Sequence, residues 1–305
     1  VADRVHSTIA LAAENLAKER DKVILATAVG TTDFTGKACI TTAASWLYDT
    51  GALTTGLVHS LVAQKADTWF LIVVDYAFGA SMEADARKAI AAAGGKVVGT
   101  VRHPLGTSDF SSYLLQAQAS GAKVVLLANG GADLINSIKQ AKEFGLTGKQ
   151  TLVAPLVFIT DVRSLGLETM QGLSFTTPFY WDLDDKTRAW SKRFFDRHGA
   201  MPTMVHAAVY SAVQHYLKAI AAAGTDEAQA VARKMRELPV NDFYVSGGKI
   251  RIDGRLLHPM YLVKVKSPTQ SKGPWDYYEV IRKIPADTAF RSLKDSGCPL
   301  AENTK

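Results

Sequence analysis

The chain has 305 residues, enough for two domains of ordinary size, and its 47% hydrophobic and 21% charged residues are a globular balance. No apolar run approaches the roughly 20 residues of a membrane span. The formal charge of +6 slightly favours anionic ligands, but no dense Lys/Arg block or aromatic-interleaved basic stripe accompanies it, so no nucleic-acid partner is expected.

In chain order, Ser7 to Arg20 reads as an amphipathic helix with Ile9, Ala12, Ala13, Leu16 and Ala17 on its apolar side and Ser7 or Thr8 as cap. Val23 to Val29 reads as a strand, ending in the small hydroxyl loop Gly30-Thr31-Thr32-Asp33, which offers N–H groups and hydroxyls but no catalytic base. Ala43 to Thr50 carries Trp46, Tyr48 and Asp49, and a helix follows from about Gly51 to Lys65. Trp69 to Val74 is six apolar residues without a break, a strand buried on both faces as in a parallel sheet. Asp75 ends it, Tyr76-Ala77-Phe78 make a short loop, and a helix runs from Gly79 to about Ala93. Gly94-Gly95 stop that helix before the strand Lys96 to Val101, completing a βαβ unit.

The alternation continues with helix Asp109 to Ala119, strand Lys123 to Ala128, the strand end Asn129-Gly130-Gly131, helix Ala132 to Phe144 and strand Thr151 to Val157. This predicts an open α/β sheet, whose ligands sit at the carboxyl ends of the strands. Leu173 to Thr177 is a further extended stretch, and Pro178-Phe179-Tyr180-Trp181 reads as a linker between lobes. Beyond it, Lys186 to His198, Val205 to Ala223 and Asp226 to Leu238 are helices. Lys249 to Ile252 and Met260 to Val265 read as a hairpin-like pair, and the C-terminal end is mixed. There is no internal repeat of about 20–50 residues. The first α/β part looks incomplete, since a sheet edge is expected before Val1. No signal peptide is visible at the start, which a mature exported protein would also show.

The motifs TTDFTGKAC, VDYAFG, GTSDFSSYL, LANGGAD and FYWDLDDKTRAWSKRFF…MPTMVHAAVYSAV, in this order, resemble the branched-chain amino acid-type ABC-transporter substrate-binding proteins over almost the whole chain. The resemblance implies the type I periplasmic binding fold: two Rossmann-like lobes with parallel sheets, three crossovers and a small solute held in the cleft. The expected division is residues 1–48 with 182–255 in lobe 1, 49–181 with 256–270 in lobe 2, and 271–305 returning to lobe 1. The family also implies a periplasmic location, delivery to an inner-membrane ABC permease by hinge closure, a monomer and no cofactor. The two cysteines show no CxxC or Cys/His metal spacing; from spacing alone they are either free or one disulfide, and the resemblance implies a Cys39–Cys298 bridge.

In the family the solute's carboxylate is held by a helix N-terminus with a serine and by a small-residue loop with a threonine, which fall here on Ser7 and on Gly30 with Thr31. Helix N-terminal amides and hydroxyls bind an anion without a full charge. Arg4 and His6 stand beside them in sequence and add charge-assisted bonding, or are simply surface. The family's aromatic contact falls on Phe78 with Tyr76 near it; Asn129 and Gly130 end the next strand; Trp46 and Tyr180 near the crossovers wall the cleft or pack the hinge.

One departure sets the expected ligand. Amino acid-binding members carry a Pro-Glu pair whose glutamate meets the ligand's ammonium, and here the pair is Pro155-Leu156, followed by Val157 and Phe158. A buried ammonium without a partner costs several kcal/mol, so the expected solute is a benzoate- or phenylpropanoid-like carboxylate. Asp49 or Asp75 could restore the acid, and an amino acid or amide ligand, or a ligand-sensing receptor role, are the alternatives. An enzyme is not expected: GxSxG, GxGxxG, P-loop and HExxH motifs are absent, and the histidines lack a paired nucleophile. His206 and Tyr210 share a helix face and are expected to pack in the core or at the cleft edge, and Asp184-Asp185 to stabilise a helix start.

Overall fold

A computed structural model describes residues 6–302. The chain folds as two α/β units: residues 1–49, 178–260 and 285–305 form the first, and residues 50–177 and 261–284 the second. The chain changes unit after residues 49, 177, 260 and 284.

Unit 1 opens with α1 (Ser7–Glu19), β1 (Ile24–Ala26) and β2 (Ala43–Ser45), the two strands pairing in parallel. The face that α1 buries is not the most apolar one. Ser7, Ala10, Glu14 and Ala17 are buried, while Ile9 and Leu16 are more than half exposed. Ala10 and Ala17 pack with Ile24, Ala26, Val29 and Phe34. Small side chains bring the helix close to the strands, and Glu14 is carried into the core between them.

Unit 2 begins with α2 (Thr50–Val62), β3 (Thr68–Val74), α3 (Ala77–Ala92), β4 (Lys96–His103), α4 (Ser111–Ala119), β5 (Val124–Ala128), α5 (Gly131–Glu143) and β6 (Thr151–Val153). Its parallel sheet has the order β4-β3-β5-β6. The unbroken apolar run is the central strand, with residues 69–74 buried. Helix α3 starts two residues before Gly79, at Ala77, with Tyr76 as N-cap. Gly79 sits so tightly under the strand end that a Cβ would lie 1.8 Å from the carbonyl oxygen of Val74. Strand β6 stops at Val153, leaving 154–158 as irregular chain, and the short helices α6 (Ile159–Leu165) and α7 (Leu167–Met170) follow before β7 (Ser174–Thr177).

Back in unit 1, α8 (Asp185–His198), α9 (Met204–Ala223) and α10 (Ala228–Glu237) lie where the periodicity places them. Asp184 caps α8, accepting from Thr187 N–H at 2.8 Å while its own N–H donates to Thr187 Oγ1 at 2.9 Å. His206 and Tyr210 are both exposed on α9 and lie outside the core. The expected hairpin is replaced by another. β8 (Lys249–Ile250) pairs with β9 (Leu256–Leu257), and β10 (Met260–Val265) pairs antiparallel with β7 and lies between it and β11 (Tyr278–Ile284) in a three-stranded sheet of unit 2. The turn between β8 and β9 requires glycine: Gly254 has φ +83, and a Cβ there would lie 2.6 Å from the Ala43 carbonyl oxygen. β11 is an edge strand whose exposed Glu279, Arg282 and Lys283 oppose further pairing. The chain ends with α11 (Ala286–Ala289) and α12 (Pro299–Glu302).

Cys39 and Cys298 form a disulfide, with Cα atoms 5.7 Å apart. It ties the last segment to the loop after β1, where Arg291 also donates to Thr32 O. The bridge closes a span of 259 residues; its reduction is expected to cost about 2–5 kcal/mol by releasing the unfolded chain. Urea midpoints with and without reductant check this, and coincident midpoints would refute it. No described helix is long and apolar enough to cross a membrane.

Candidate functional site

In unit 1 the start of α1 and the loop after β1 meet. Ser7 is fully buried as the first residue of α1, and its Oγ accepts the Thr31 N–H at 3.2 Å. Thr31 Oγ1 accepts the Asp33 N–H at 3.3 Å, and Gly30 is buried beside it. His6 occupies the N-cap position of α1 without a side-chain capping bond to the helix. Among the described residues no side chain caps the first amides of this 13-residue helix, and they lie next to two hydroxyls, an environment that stabilises an anion. Arg4 lies outside the described residues.

Trp46 and Tyr180 are also in unit 1 and almost wholly enclosed. The Trp46 indole N–H donates to Ser211 Oγ at 2.9 Å, and that hydroxyl donates to Asp242 at 2.5 Å. The Trp46 ring also packs 5.5 Å from His215. Tyr180 packs against Trp181, centroids 5.7 Å apart.

In unit 2 the carboxyl ends of β3, β5 and β6 collect the other residues. Tyr76 and Phe78 stack with ring centroids 6.0 Å apart, Phe78 buried and Tyr76 half-buried. Asn129 follows β5 and is buried, its Nδ2 within 3.3 Å of His103 Nε2 and 3.4 Å of Ser137 Oγ. Gly130 is the N-cap of α5, and a Cβ there would lie 3.3 Å from Leu156 Cδ2. Leu156 is thus packed over the start of α5, and Phe158, half-buried, is the N-cap of α6.

The acids near these strand ends are already engaged. Asp133, a residue that the sequence reading missed, is buried in the first turn of α5 and accepts the Gly106 N–H at 3.2 Å. Burial first, and then the charge of Asp133, push the Tyr76 phenol above its ordinary range. Burial lowers the His103 imidazole, although its bond to Pro104 O and the nearby Asp133 oppose that. Asp161 accepts the Phe158 N–H at 2.8 Å, and its burial raises its pKa to about 6. Asp49, one of the two acids that could replace the absent glutamate, is buried in unit 1 with its Oδ2 3.2 Å from Arg255 Nη2. Asp75, the other, is exposed and faces Arg102 at 3.9 Å. Among the described residues no group of three or more His, Cys, Asp or Glu could hold a metal ion.

Comparison with known proteins now adds family. The family described as periplasmic binding protein matches residues 1–274. A periplasmic binding protein from Burkholderia mallei is 44% identical, with a TM-score of 0.96; the match covers 98% of this chain and 80% of that one. A branched chain amino acid ABC transporter periplasmic ligand-binding protein from Burkholderia xenovorans is 42% identical, with a TM-score of 0.89, covering 98% and 81%. An ABC-transporter solute binding protein from R. palustris, in complex with 4-hydroxybenzoate, is 20% identical with a TM-score of 0.83 over 93% and 78%, a likeness of fold alone. No curated protein matches. With a family match over residues 1–274 and a relative 44% identical over 98% of the chain, the chain belongs to the periplasmic binding protein family and has its type I fold.

Proposed function

We propose that the chain is the extracytoplasmic solute-binding component of an ABC importer, that it works in the periplasm as a monomer with an inner-membrane permease as partner, and that its solute is a small aromatic or apolar carboxylate. The observation that carries the solute class is Leu156. It follows β6 and packs against Gly130, and Asp133 and Asp161, in the first turns of α5 and α6, are buried and spent on backbone N–H groups. An α-ammonium brought there would meet apolar side chains and lose several kcal/mol of hydration. The uncapped start of α1 with Ser7 and Thr31 suits a carboxylate, and Tyr76, Phe78, Leu156 and Phe158 suit a ring or an alkyl body.

A second reading has its own support. The B. xenovorans protein, 42% identical, is described as a branched chain amino acid ligand-binding protein, so an amino acid or amide solute is the alternative. The same fold also serves a ligand-sensing receptor. Isothermal calorimetry separates the solute classes. 4-Hydroxybenzoate, benzoate or coumarate is expected to bind at least tenfold tighter than leucine. Thr31→Ala is expected to weaken aromatic-acid binding several-fold, the loss of one hydrogen bond to a charged group. Tight leucine binding with no aromatic-acid binding would reject the aromatic reading and leave the solute-binding one intact.

A further inference from the structure

Helix α8 carries two differently treated rows of charge. Arg188 is held by Asp182 and Asp185, and Lys192 by Asp196. Lys186, Arg193 and Arg197 lie on another side of the helix, are exposed, and have no acidic partner among the described residues. Beside them runs α9, with exposed Tyr210 and Lys218. The two helices and Phe243 border two adjoining grooves of about 300 and 410 Å³.

The floor of these grooves is aromatic. Trp190 and Phe243 stack with centroids 4.1 Å apart and planes 6° from parallel. Tyr210 meets both edge-on, at 5.6 and 5.8 Å. Phe194 extends the row, 5.7 Å from Trp190. Trp190 is only 6% exposed and Tyr210 41%. Trp190 therefore forms a recessed floor between the cations, with Tyr210 as its exposed wall. Asp242, which borders the second groove, accepts Ser211 Oγ and the N–H groups of Tyr244 and Val245 and forms no ion pair with the rim cations among the described residues.

We propose that this face of unit 1, with Arg193 and Arg197 on one rim, Lys186 and Lys218 at the other end and the Trp190–Tyr210–Phe243 rings between, docks an acidic segment of a partner protein that seats an apolar side chain on the rings. Charge complementarity and groove shape together select that occupant. Arg193 and Arg197 are one helical turn apart and present guanidinium forks suited to carboxylates. Tryptophan, tyrosine and arginine around a recessed pocket are the residues that concentrate binding energy at protein interfaces. A lipid surface would be met best by several rings that stand out of the protein, and the central ring here, Trp190, is recessed.

A labelled random copolymer of glutamate and tyrosine serves as the acidic, aromatic-bearing probe, with vesicles of phosphatidylglycerol as the lipid arm. Fluorescence anisotropy on the full chain is expected to show binding of the copolymer that falls at least tenfold in R193E/R197E and several-fold in Y210A. The variant K264E/K283E, an equal charge change on exposed lysines of unit 2, is expected to bind as the parent does. Hydrogen exchange is expected to place the protected amides within 186–218 and around 243. Equal loss in both double variants, no binding by the parent protein in 50 mM salt, or vesicle binding that shows the R193E/R197E dependence while the copolymer does not, would each overturn the proposal. Unchanged circular dichroism in the variants separates a lost contact from a lost fold.

Discussion

Replacing Glu14 by glutamine is expected to stabilise the protein by about 3 kcal/mol at pH 7 and to remove most of the fall in stability between pH 7 and 9. Glu14 is fully buried on α1, and neither carboxyl oxygen has a hydrogen-bond partner among the described residues. Burial raises its pKa from 4.5 to about 9. The sign follows from proton counting. Between these two values the folded protein keeps the proton and the unfolded chain loses it, so stability falls as pH rises, by about 1.4 kcal/mol per unit. Above pH 7 the interval belongs to Glu14: burial lowers the pKa of His103, His215 and His258, and Asp161 has titrated near 6. Glutamine has nearly the same shape and never needs the proton. Urea unfolding at pH 6, 7, 8 and 9 checks this, and parallel pH curves for parent and E14Q would remove Glu14 as the cause.

Arg255→Met is expected to cost about 3–5 kcal/mol, the penalty for leaving a buried charge without its counter-ion. Arg255 is 1% exposed, with Nη1 donating to Leu47 O at 3.2 Å and Nη2 facing the Asp49 carboxylate at 3.2 Å. Its guanidinium also lies 4.9 Å from the centre of the Phe290 ring. His258 adds to the same contact, its Nε2 2.7 Å from Leu47 O, and burial brings its pKa down to about 4. The chain leaves unit 1 just after Asp49 and again just after Met260. Arg255 and His258 thus fasten together two points of exit, and the loss of the guanidinium leaves only the His258 contact. Removing the orphaned charge as well, in R255M/D49N, is expected to recover at least 1 kcal/mol relative to R255M. Strictly additive losses in the double-mutant cycle would show that the ion pair is not what holds the segment.

Several features of the chain were legible from residue order alone. The run from Trp69 to Val74 could only be a strand covered on both faces, because no polar side chain interrupts it. The alternation from there to Val153 set the parallel sheet, and Asp184 and the glycine pairs marked helix ends. The spread of motifs along the chain pointed to the family that comparison then found.

Other features required the packed chain. Hydrophobicity ranked Ile9 and Leu16 as the inner face of α1, yet close packing on β1 selected the small residues Ala10 and Ala17 and took Glu14 in with them. The partner of Met260–Val265 could not be read locally, since antiparallel pairing with Ser174–Thr177 joins segments more than 80 residues apart. Strand Tyr278–Ile284 was hidden by its charges, which an edge position tolerates and a central one does not. Asp49 looked available as a ligand for an ammonium until Arg255, about 200 residues further on, was found against it. Sequence determines which side chains each segment can bury; only tertiary structure decides which of them meet, because a buried charge or a strand edge is resolved by whatever distant residue the fold brings to it.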